Sequence, residues 1–535
     1  MNHTLRKQVV CGRAYQQRRH TVVFAAALLL SLATALAFLL LGCGSGSGTS
    51  GRGTPYVPPP TVAPLSSSEV DSIVMAAAAS VDTPGMVIAV VDRGGKVLAV
   101  FSKPGAAATG IGNFSQPVEI HDLAVALART GAYFSNDQAP LSSRTVRFIS
   151  GIHFPPGVMN APTADLYGIE NTNRGCTLSN NFIPGQEVSP STSLSGASGP
   201  GILTGKSKLD DSDPNAVNPG GIPIFRNNVV VGGIGVAGVP LDVAEFAAFT
   251  GSIAPGFGPT PPPPGVVFIG GIALPFVNQS TRPAGVNTGD TTGTYLQSGM
   301  PFASLGQPPE GDLITPIAGS GGLSAADVKL ILDQAEATAN TTRAAIRLPL
   351  GQRAKMVIAV ADLDGTLIGL RRMQDATVFS IDVAASKARN MVYFNSASRT
   401  AADLNQVPMG TAVTNRTISF GAQPLFPPGI DCSGLGPFYN LFLQDLANPC
   451  TQGFQSGAPN VNKSGIVFFP GSLGLYRNGV LIGGLGVSGD GVDQDDFVTA
   501  GGGVGFEAPT AIRADQIFIS SVRLPYLKFP RDPTN

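Results

Sequence analysis

From residue 65 onward the chain alternates between helical and strand periodicity, and it does so twice in the same order. Behind Leu65-Ser66, the apolar positions Val70, Ile73, Val74 and Ala77 fall three and four apart, the spacing of a helix with one buried face and a serine cap. Leu323-Ser324 with Val328, Ile331, Leu332 and Ala335 repeats this pattern. The apolar run 86–91 ending in Asp92, a Gly-containing turn and a second run at 97–101 predict a strand, tight turn and strand. The run 356–361 ending in Asp362, followed by 367–370, predicts the same. Ala-rich blocks at 122–134 and 382–394 read as helices, and both close on Tyr-Phe. Phe154-Pro155-Pro156-Gly157 and Phe426-Pro427-Pro428-Gly429 each lie in a long irregular insertion. Phe225-Arg226-Asn227-Asn228 and Tyr476-Arg477-Asn478-Gly479 each precede a ten-residue apolar run, and Asn-Gly between such runs is a strong hairpin signal. Third helices open at 242–246 and 493–497, and Leu274-Pro275-Phe276 answers Leu524-Pro525-Tyr526 in a closing segment.

Each half therefore reads as helix, strand, strand, helix, insertion, strand, strand, helix, tail. That order predicts an α+β fold of two homologous modules, each an antiparallel sheet covered by helices and carrying a long irregular insertion. The modules are placed at 65–285 and 323–535, with a Gly/Thr/Pro-rich connector at 286–322. The insertions, roughly 70 residues each, exceed ordinary connections and are expected to be functional or partner-facing surfaces.

Ahead of the modules, residues 21–41 form an uncharged, almost wholly apolar run preceded by Arg6, Lys7, Arg13, Arg18 and Arg19. A basic end followed by such a run inserts into a membrane with the charges in the cytoplasm. Leu40-Leu41-Gly42-Cys43 resembles the lipobox of bacterial lipoproteins, in which the Cys becomes the acylated first residue. Residues 1–42 are accordingly expected to be a signal peptide, Cys43 the lipidation site, and 43–64 a flexible tether. The run is also long enough for an uncleaved signal anchor. Gly44 after the Cys points, by the same resemblance, to the outer membrane or periplasmic face. Cys432 and Cys450 flank one loop, and a disulfide closing it would contribute on the order of 3 kcal/mol in the chain-entropy model; Cys176 is then left over, although its pairing with either remains open.

Composition excludes other classes. Gly and Pro number 67 and 44, high for a folded chain yet below low-complexity levels. Charged residues are only 13% and Trp is absent, which fits neither a coiled coil nor a charge-driven disordered chain. The total formal charge is −1, and the five basic residues before Cys43, unaccompanied by acids, leave −6 on the remainder. A basic nucleic-acid-binding surface is not expected.

The repeated blocks resemble the haem-binding HbpS-like and GlcG-like family (DUF336). In the second half the resemblance rests on Val357-Ile358-Ala359-Val360-Ala361-Asp362, Arg372-Met373-Gln374-Asp375-Ala376, Lys387-Ala388, Gly483-Gly484-Leu485-Gly486-Val487-Ser488-Gly489 and Asp495-Asp496. The first half keeps the fold-bearing blocks but carries Ser102-Lys103-Pro104-Gly105-Ala106, Leu127-Ala128 and Ala244-Glu245 at the corresponding places, and looks like a diverged copy. The resemblance implies binding of haem or another tetrapyrrole. Family members often oligomerise, so a tandem copy would replace one such contact, and a homo-oligomer or a surface protein partner is also expected.

Histidine supply limits the chemistry most. Beyond the signal only His121 and His153 occur, both in the first half, which excludes a duplicated histidine site and a Ser-His-Asp triad within the second half. His121 is a candidate axial haem ligand beside an expected cap, Asp122; Tyr133 and Tyr393 are candidate phenolate ligands. Arg372 and Lys387, with Arg371, are candidates for holding haem propionates or another carboxylate. Asp490, Asp493, Asp495 and Asp496 could supply oxygens to Ca²⁺, or stabilise a helix N-terminus with Asp493 as its cap. Asp210, Asp211 and Asp213 have a weaker cation reading. Gly233-x-Gly235-x-x-Gly238 and Gly484-x-Gly486-x-x-Gly489 match a dinucleotide string but lack its strand–helix–strand context, so close backbone packing is expected. No complete acid, base or nucleophile set appears. The expectation is an exported, tethered ligand-binding protein; the alternatives are a structural or interaction lipoprotein that has lost the pocket, and an enzyme of haem or small hydroxy-acid metabolism.

Overall fold

The computed structural model describes residues 62–176, 194, 199–258, 267–397, 399–448 and 464–534. In the first half, α1 (Ser67–Ala79) leads into β1 (Val87–Asp92) and β2 (Val97–Ser102). A small hairpin, β3 (Thr109–Ile111) and β4 (Pro117–Glu119), delivers α2 (Ile120–Phe134), and the short α3 (Ser143–Phe148) opens the insertion. The half resumes with β5 (Gly221–Arg226), β6 (Val229–Ala237) and α4 (Leu241–Ser252), and ends in the two-residue hairpin β7 (Phe268–Ile269) and β8 (Ile272–Ala273). Residues 286–322 then supply β9 (Thr294–Tyr295) and β10 (Gly311–Ile314).

The second half follows with α5 (Ala325–Thr341), β11 (Val357–Ala361), β12 (Leu367–Arg372) and α6 (Phe379–Asn395). Its insertion contains α7 (Asn415–Gly421) and α8 (Tyr439–Ala447), and β13 (Ser472–Arg477), β14 (Val480–Ser488) and α9 (Val492–Gly502) complete it before the closing hairpin β15 (Phe518–Ile519) and β16 (Val522–Arg523).

Two five-stranded antiparallel sheets result, ordered β5-β6-β1-β2-β9 and β13-β14-β11-β12-β10, the same order position by position. Each is covered on both faces. In the first, α2 lies on the face of Val87, Ala89 and Val91, while α1 and α4 cover Ile88 and Val90. Burial on both sides explains why β1 is apolar at successive positions instead of alternating. The β5–β6 hairpin turns through Asn227 and Asn228 at φ 49° and 67°, the β13–β14 hairpin through Asn478 and Gly479 at 52° and 77°. Both central residues are left-handed, as a type I′ turn requires.

The expected glycine packing is present. A Cβ on Gly235 would stand 1.9 Å from the Ala124 carbonyl oxygen, and one on Gly486 would stand 2.2 Å from that of Ala384. Only bare backbone lets α2 and α6 settle this close to their sheets.

Residues 286–322 are more than a spacer. Tyr295 in β9 pairs with Phe101, and Phe302 and Ser304 donate backbone hydrogen bonds to Leu98 and Leu65. Further on, β10 pairs with β12. The segment thus contributes the edge strand of both sheets.

The two modules meet end to end at α2 and α6. Val378 N donates to Tyr133 O at 3.1 Å, and the Phe134 and Phe379 rings stack at 4.1 Å. Beside them, Asp137 N donates to the Asp375 carboxylate, which also pairs with Arg347 at 2.7 Å. The insertions continue the junction, facing each other. Asn171 donates to Asp445 at 2.8 Å, Arg174 to the Asp445 carbonyl, Thr163 to Gln423, and Tyr167 packs on Phe442. Much of the surface expected to face partners is therefore spent within the chain. Cys176 and Cys432 are both disulfide-bonded, so Cys176 is not a leftover thiol. Cys450, the expected partner of Cys432, lies outside the described residues, as do Cys43 and the whole apolar run. Among the described residues no helix is long and apolar enough to cross a membrane.

Candidate functional site

A cavity of about 430 Å³ opens in the first module where β3, α2, β6 and α4 converge. Its floor is Leu123 and Leu127 of α2 and Val236 of β6, its far wall Ala244 of α4, and Ile111 and Leu241 stand exposed at its mouth. No charged side chain lines it; Thr109 and Asn218 are its polar groups. Gly220 and Gly238 let backbone pass close by, since a Cβ on either would fall within 2.4 Å of a carbonyl oxygen.

The same place in the second module is filled. Gly235 and Gly486 occupy matching positions in the β1–β6 and β11–β14 ladders, and they rest on Ala124/Ala128 and Ala384/Ala388. That register makes Lys387 the counterpart of Leu127. The neighbouring ion pairs Arg144–Glu245 and Arg416–Asp496 then align Ala244 with Asp495. Lys387 Nζ donates to Val487 O at 2.7 Å and to Asp495 at 3.0 Å, and stands 5.0 Å from the Phe469 ring centroid. Both partners are fully buried: desolvation pulls the Lys387 ammonium down against the pull of Asp495, and pushes the Asp495 carboxyl up to about 7. One module thus carries a buried ion pair where the other carries an apolar hollow.

His121 stands at the start of the helix that supplies the floor of that hollow. The N-cap is Glu119, not Asp122: its carboxylate accepts from the His121 and Asp122 amides at 2.9 Å and from His121 Nδ1 at 2.6 Å. Burial alone would raise Glu119, but those amides and the ring hold it below its ordinary value. A carboxylate only accepts, so Nδ1 carries a proton, and in the neutral ring Nε2 would present the lone pair. Nε2 faces the Ser102 hydroxyl at 2.9 Å. An imidazole steadied at Nδ1 by a carboxylate is the arrangement of metal-ligating histidines. Glu119 in turn pairs across the hairpin with Thr109, which lines the cavity. Asp122 instead accepts from Leu194 N.

The other expected ligands are committed elsewhere. Arg372 is buried and donates to the carbonyls of Ala376, Pro308 and Pro309, so it ties the connector to the second sheet; with Arg371 it borders a cavity of about 440 Å³ whose other charged lining residues, Glu310, Asp312 and Glu336, are acidic. Lys387 is consumed by Asp495. Arg371 is held by Asp312, Asp333 and Glu336, which raise its pKa further. Tyr133 is buried and donates to Gly94 O; Tyr393 is buried and donates to Asp403 at 2.7 Å. His153 is buried between the insertions, 2.9 Å from Asp431 and 3.1 Å from Ser212.

The acidic run does not converge on one point. Asp490 accepts from the Ala345, Ile346 and Gly491 amides, Asp493 binds Arg416 and Lys528, Asp495 binds Lys387, and Asp496 binds Arg416 and the Gly471 amide. Each carboxylate already has its own donors, and this corrects the Ca²⁺ expectation; Gly491, not Asp493, is the N-cap of α9. Asp211 and Asp213 likewise cap backbone amides of their own loop. Among the described residues no group of three or more His, Cys, Asp or Glu side chains could hold a metal.

The sequence carries one signal for the apolar lining: Leu127 and Ala244 stand where the second half has Lys387 and Asp495.

Comparison with known proteins adds the following. Residues 323–502 match the family described as haem degrading protein HbpS-like. The corrinoid adenosyltransferase PduO of Salmonella typhimurium is 28% identical over 189 residues, 35% of this chain and 39% of that enzyme's length. Among solved structures, the crystal structure of a PduOC–haem complex is 25% identical and covers 36% of this chain and 99% of its own, with a TM-score of 0.23. The Klebsiella pneumoniae protein ORFY, of the DUF336 family, is 20% identical over 33% of this chain and 85% of its own, with a TM-score of 0.22.

Proposed function

We propose that this chain is a non-catalytic binding protein for haem or a related tetrapyrrole, and that the ligand occupies the apolar cavity of the first module. The observation that carries the reading is the apolar cavity opened by Leu127 and Ala244, within the roughly 300–1,000 Å³ common for cofactor sites. The HbpS-like match at 323–502 supports the ligand class. That match falls on the second module, whose equivalent space is occupied by Lys387 and Asp495, so the first module is read as the second copy of the family and the one that binds.

The residues fit the group in chemical type. Haem iron, when bound, supplies an open coordination position. His121, which stands at the start of the helix behind the cavity and is not part of its lining, would be the donor to that iron, with Glu119 fixing the ring. Leu123, Leu127 and Val236 exclude water from the macrocycle face. The reading includes export and membrane tethering through Cys43, with the modules on the outer-membrane or periplasmic side.

Haem titration of the purified mature protein, followed by its Soret band, tests the proposal. A saturable shift at about one equivalent is expected, with His121→Ala weakening binding and altering the spectrum. No Soret change would overturn the tetrapyrrole reading; an unaltered spectrum in His121→Ala would remove His121 as ligand.

A further inference from the structure

The two modules differ in one further place, the connection from the second strand to the helix that follows it. In the second module residues 373–378 run directly from β12 to α6, whereas in the first residues 103–119 separate β2 from α2 and carry the β3–β4 hairpin. The longer connection belongs to the hollow module and covers the hollow. Ala107, Thr109, Gly110 and Ile111 all line the cavity of about 430 Å³.

The hairpin buries little along its length and is fastened at its tip. Thr109, Ile111, Pro117 and Glu119 are exposed. Inward, Val118 packs partly buried on the core, and the Gly110 backbone rests on Leu123, where a Cβ would come within 2.5 Å. At the tip the Asn113 side-chain oxygen accepts from the Thr204 and Gly205 amides at 2.9 Å each, and its Nδ2 donates to Ile202 O at 2.7 Å. Phe114 N donates to Lys206 O, and Ser115 Oγ to Ser207 O. These bonds hold Phe114 and Ser115 at φ 56° and 59°, a backbone region that is costly for a bulky side chain.

The base supplies a pivot. Lys103 is buried and donates to the Ala78 and Val81 carbonyls, and Pro104 O accepts from Gly85 N, so the chain is fixed that far. Gly105 comes next, exposed and left-handed at φ 87°, and a Cβ on it would meet nothing closer than 3.8 Å. A segment with few buried apolar contacts opens at lower free energy than the core it covers.

We propose that the β3–β4 hairpin is a lid on the apolar cavity, pivoting at Gly105 and latched by Asn113 onto residues 202–205. The lid rests on that cavity being the ligand site and sets how the ligand enters and leaves it. Opening breaks the Asn113 bonds, and releasing Phe114 from its left-handed backbone offsets part of that loss.

Hydrogen exchange of the purified mature protein without ligand reads the lid by itself. The Gly112 and Phe114 amides, bonded to Gln116 O and Lys206 O, are expected to exchange together and faster than the β6 amides by about tenfold or more. Protection equal to that of β6 would overturn the proposal. Stopped-flow uptake of N-phenyl-1-naphthylamine, a neutral apolar fluorophore, reads passage into the cavity. Asn113→Ala is expected to raise entry and exit rates together by about tenfold, the worth of one or two net hydrogen bonds, with affinity little changed. Ser115→Ala, which removes only the bond to Ser207 O, should move both rates the same way by about twofold and guards against misfolding of the first variant. Unchanged rates in both variants, or faster exit without faster entry, would refute the latch. Uptake of the fluorophore but not of haem would remove the tetrapyrrole reading and leave the lid standing, whereas uptake of neither would overturn both.

Discussion

Replacing Lys387 and Asp495 by the residues of the first module, Leu and Ala, probes the difference between the modules directly. Lys387→Leu alone leaves Asp495 buried with one oxygen stranded, its other oxygen already having no partner. Breaking a buried pair in this way costs about 3–5 kcal/mol. Asp495→Ala alone strands an ammonium that retains only the Val487 carbonyl, with a cost in the same range. The double variant strands neither charge, and such replacements are often close to neutral apart from the void they leave, about 24 cal/mol per Å³. Urea unfolding monitored in the second module reads this out. With a slope of about 2 kcal/mol/M, each single variant should lower the midpoint by roughly 2 M and the double by clearly less than their sum. Acid should rescue Lys387→Leu in part, because Asp495 already titrates near 7 and the unpaired carboxyl neutralises itself by taking up a proton. The double variant should also take up a second equivalent of an apolar probe. Additive single and double losses, or a Lys387→Leu defect independent of pH between 5.5 and 8, would refute the assignment of this pair as the plug.

Three further outcomes follow from the same geometry. Leu127→Lys with Ala244→Asp should close the apolar cavity of the first module and abolish haem uptake while far-UV circular dichroism stays unchanged. Gly235→Ala forces a Cβ to within 1.9 Å of the Ala124 carbonyl and should destabilise the first module by about 1–3 kcal/mol in denaturant unfolding, whereas alanine at Gly157, which meets nothing within 4 Å, is strained only by its φ of 78° and should cost less. At the module junction, burial and the neighbouring Asp375 carboxylate push Asp137 up to about 7. Its folded-state pKa exceeds the ordinary 3.8, so the folded chain binds more protons in that window and this group's contribution to stability falls as pH rises from about 4 to 7. Asp137→Asn should flatten that part of the stability–pH profile.

The repeat, the secondary structure and the α+β class were legible in the chain alone because they are local. Ser66 and Ser324 close capping boxes with Glu69 and Asp327, Asn227-Asn228 and Asn478-Gly479 form the turns their backbone preferences favour, and the glycine strings mark close backbone packing. Charge was less readable. Arg372, Lys387 and the acids at 490–496 carry the chemistry of a ligand or metal site in one dimension, yet each is satisfied by a partner distant in sequence, such as Pro308 for Arg372 or Lys387 for Asp495. Nor could periodicity show that two β-strands of the 286–322 segment would complete both sheets.

What the sequence by itself determined is the pair of equivalent modules and the order of their elements, since periodicity, capping and turn preference act over a few residues. Tertiary structure alone decided which modules are hollow and which are filled, because a cavity is the space left when distant side chains meet, and Leu127 with Ala244 leaves what Lys387 with Asp495 fills. It also decided that the insertions lock onto each other, as Asn171 does onto Asp445, a contact between residues far apart in sequence that only the assembled chain can set.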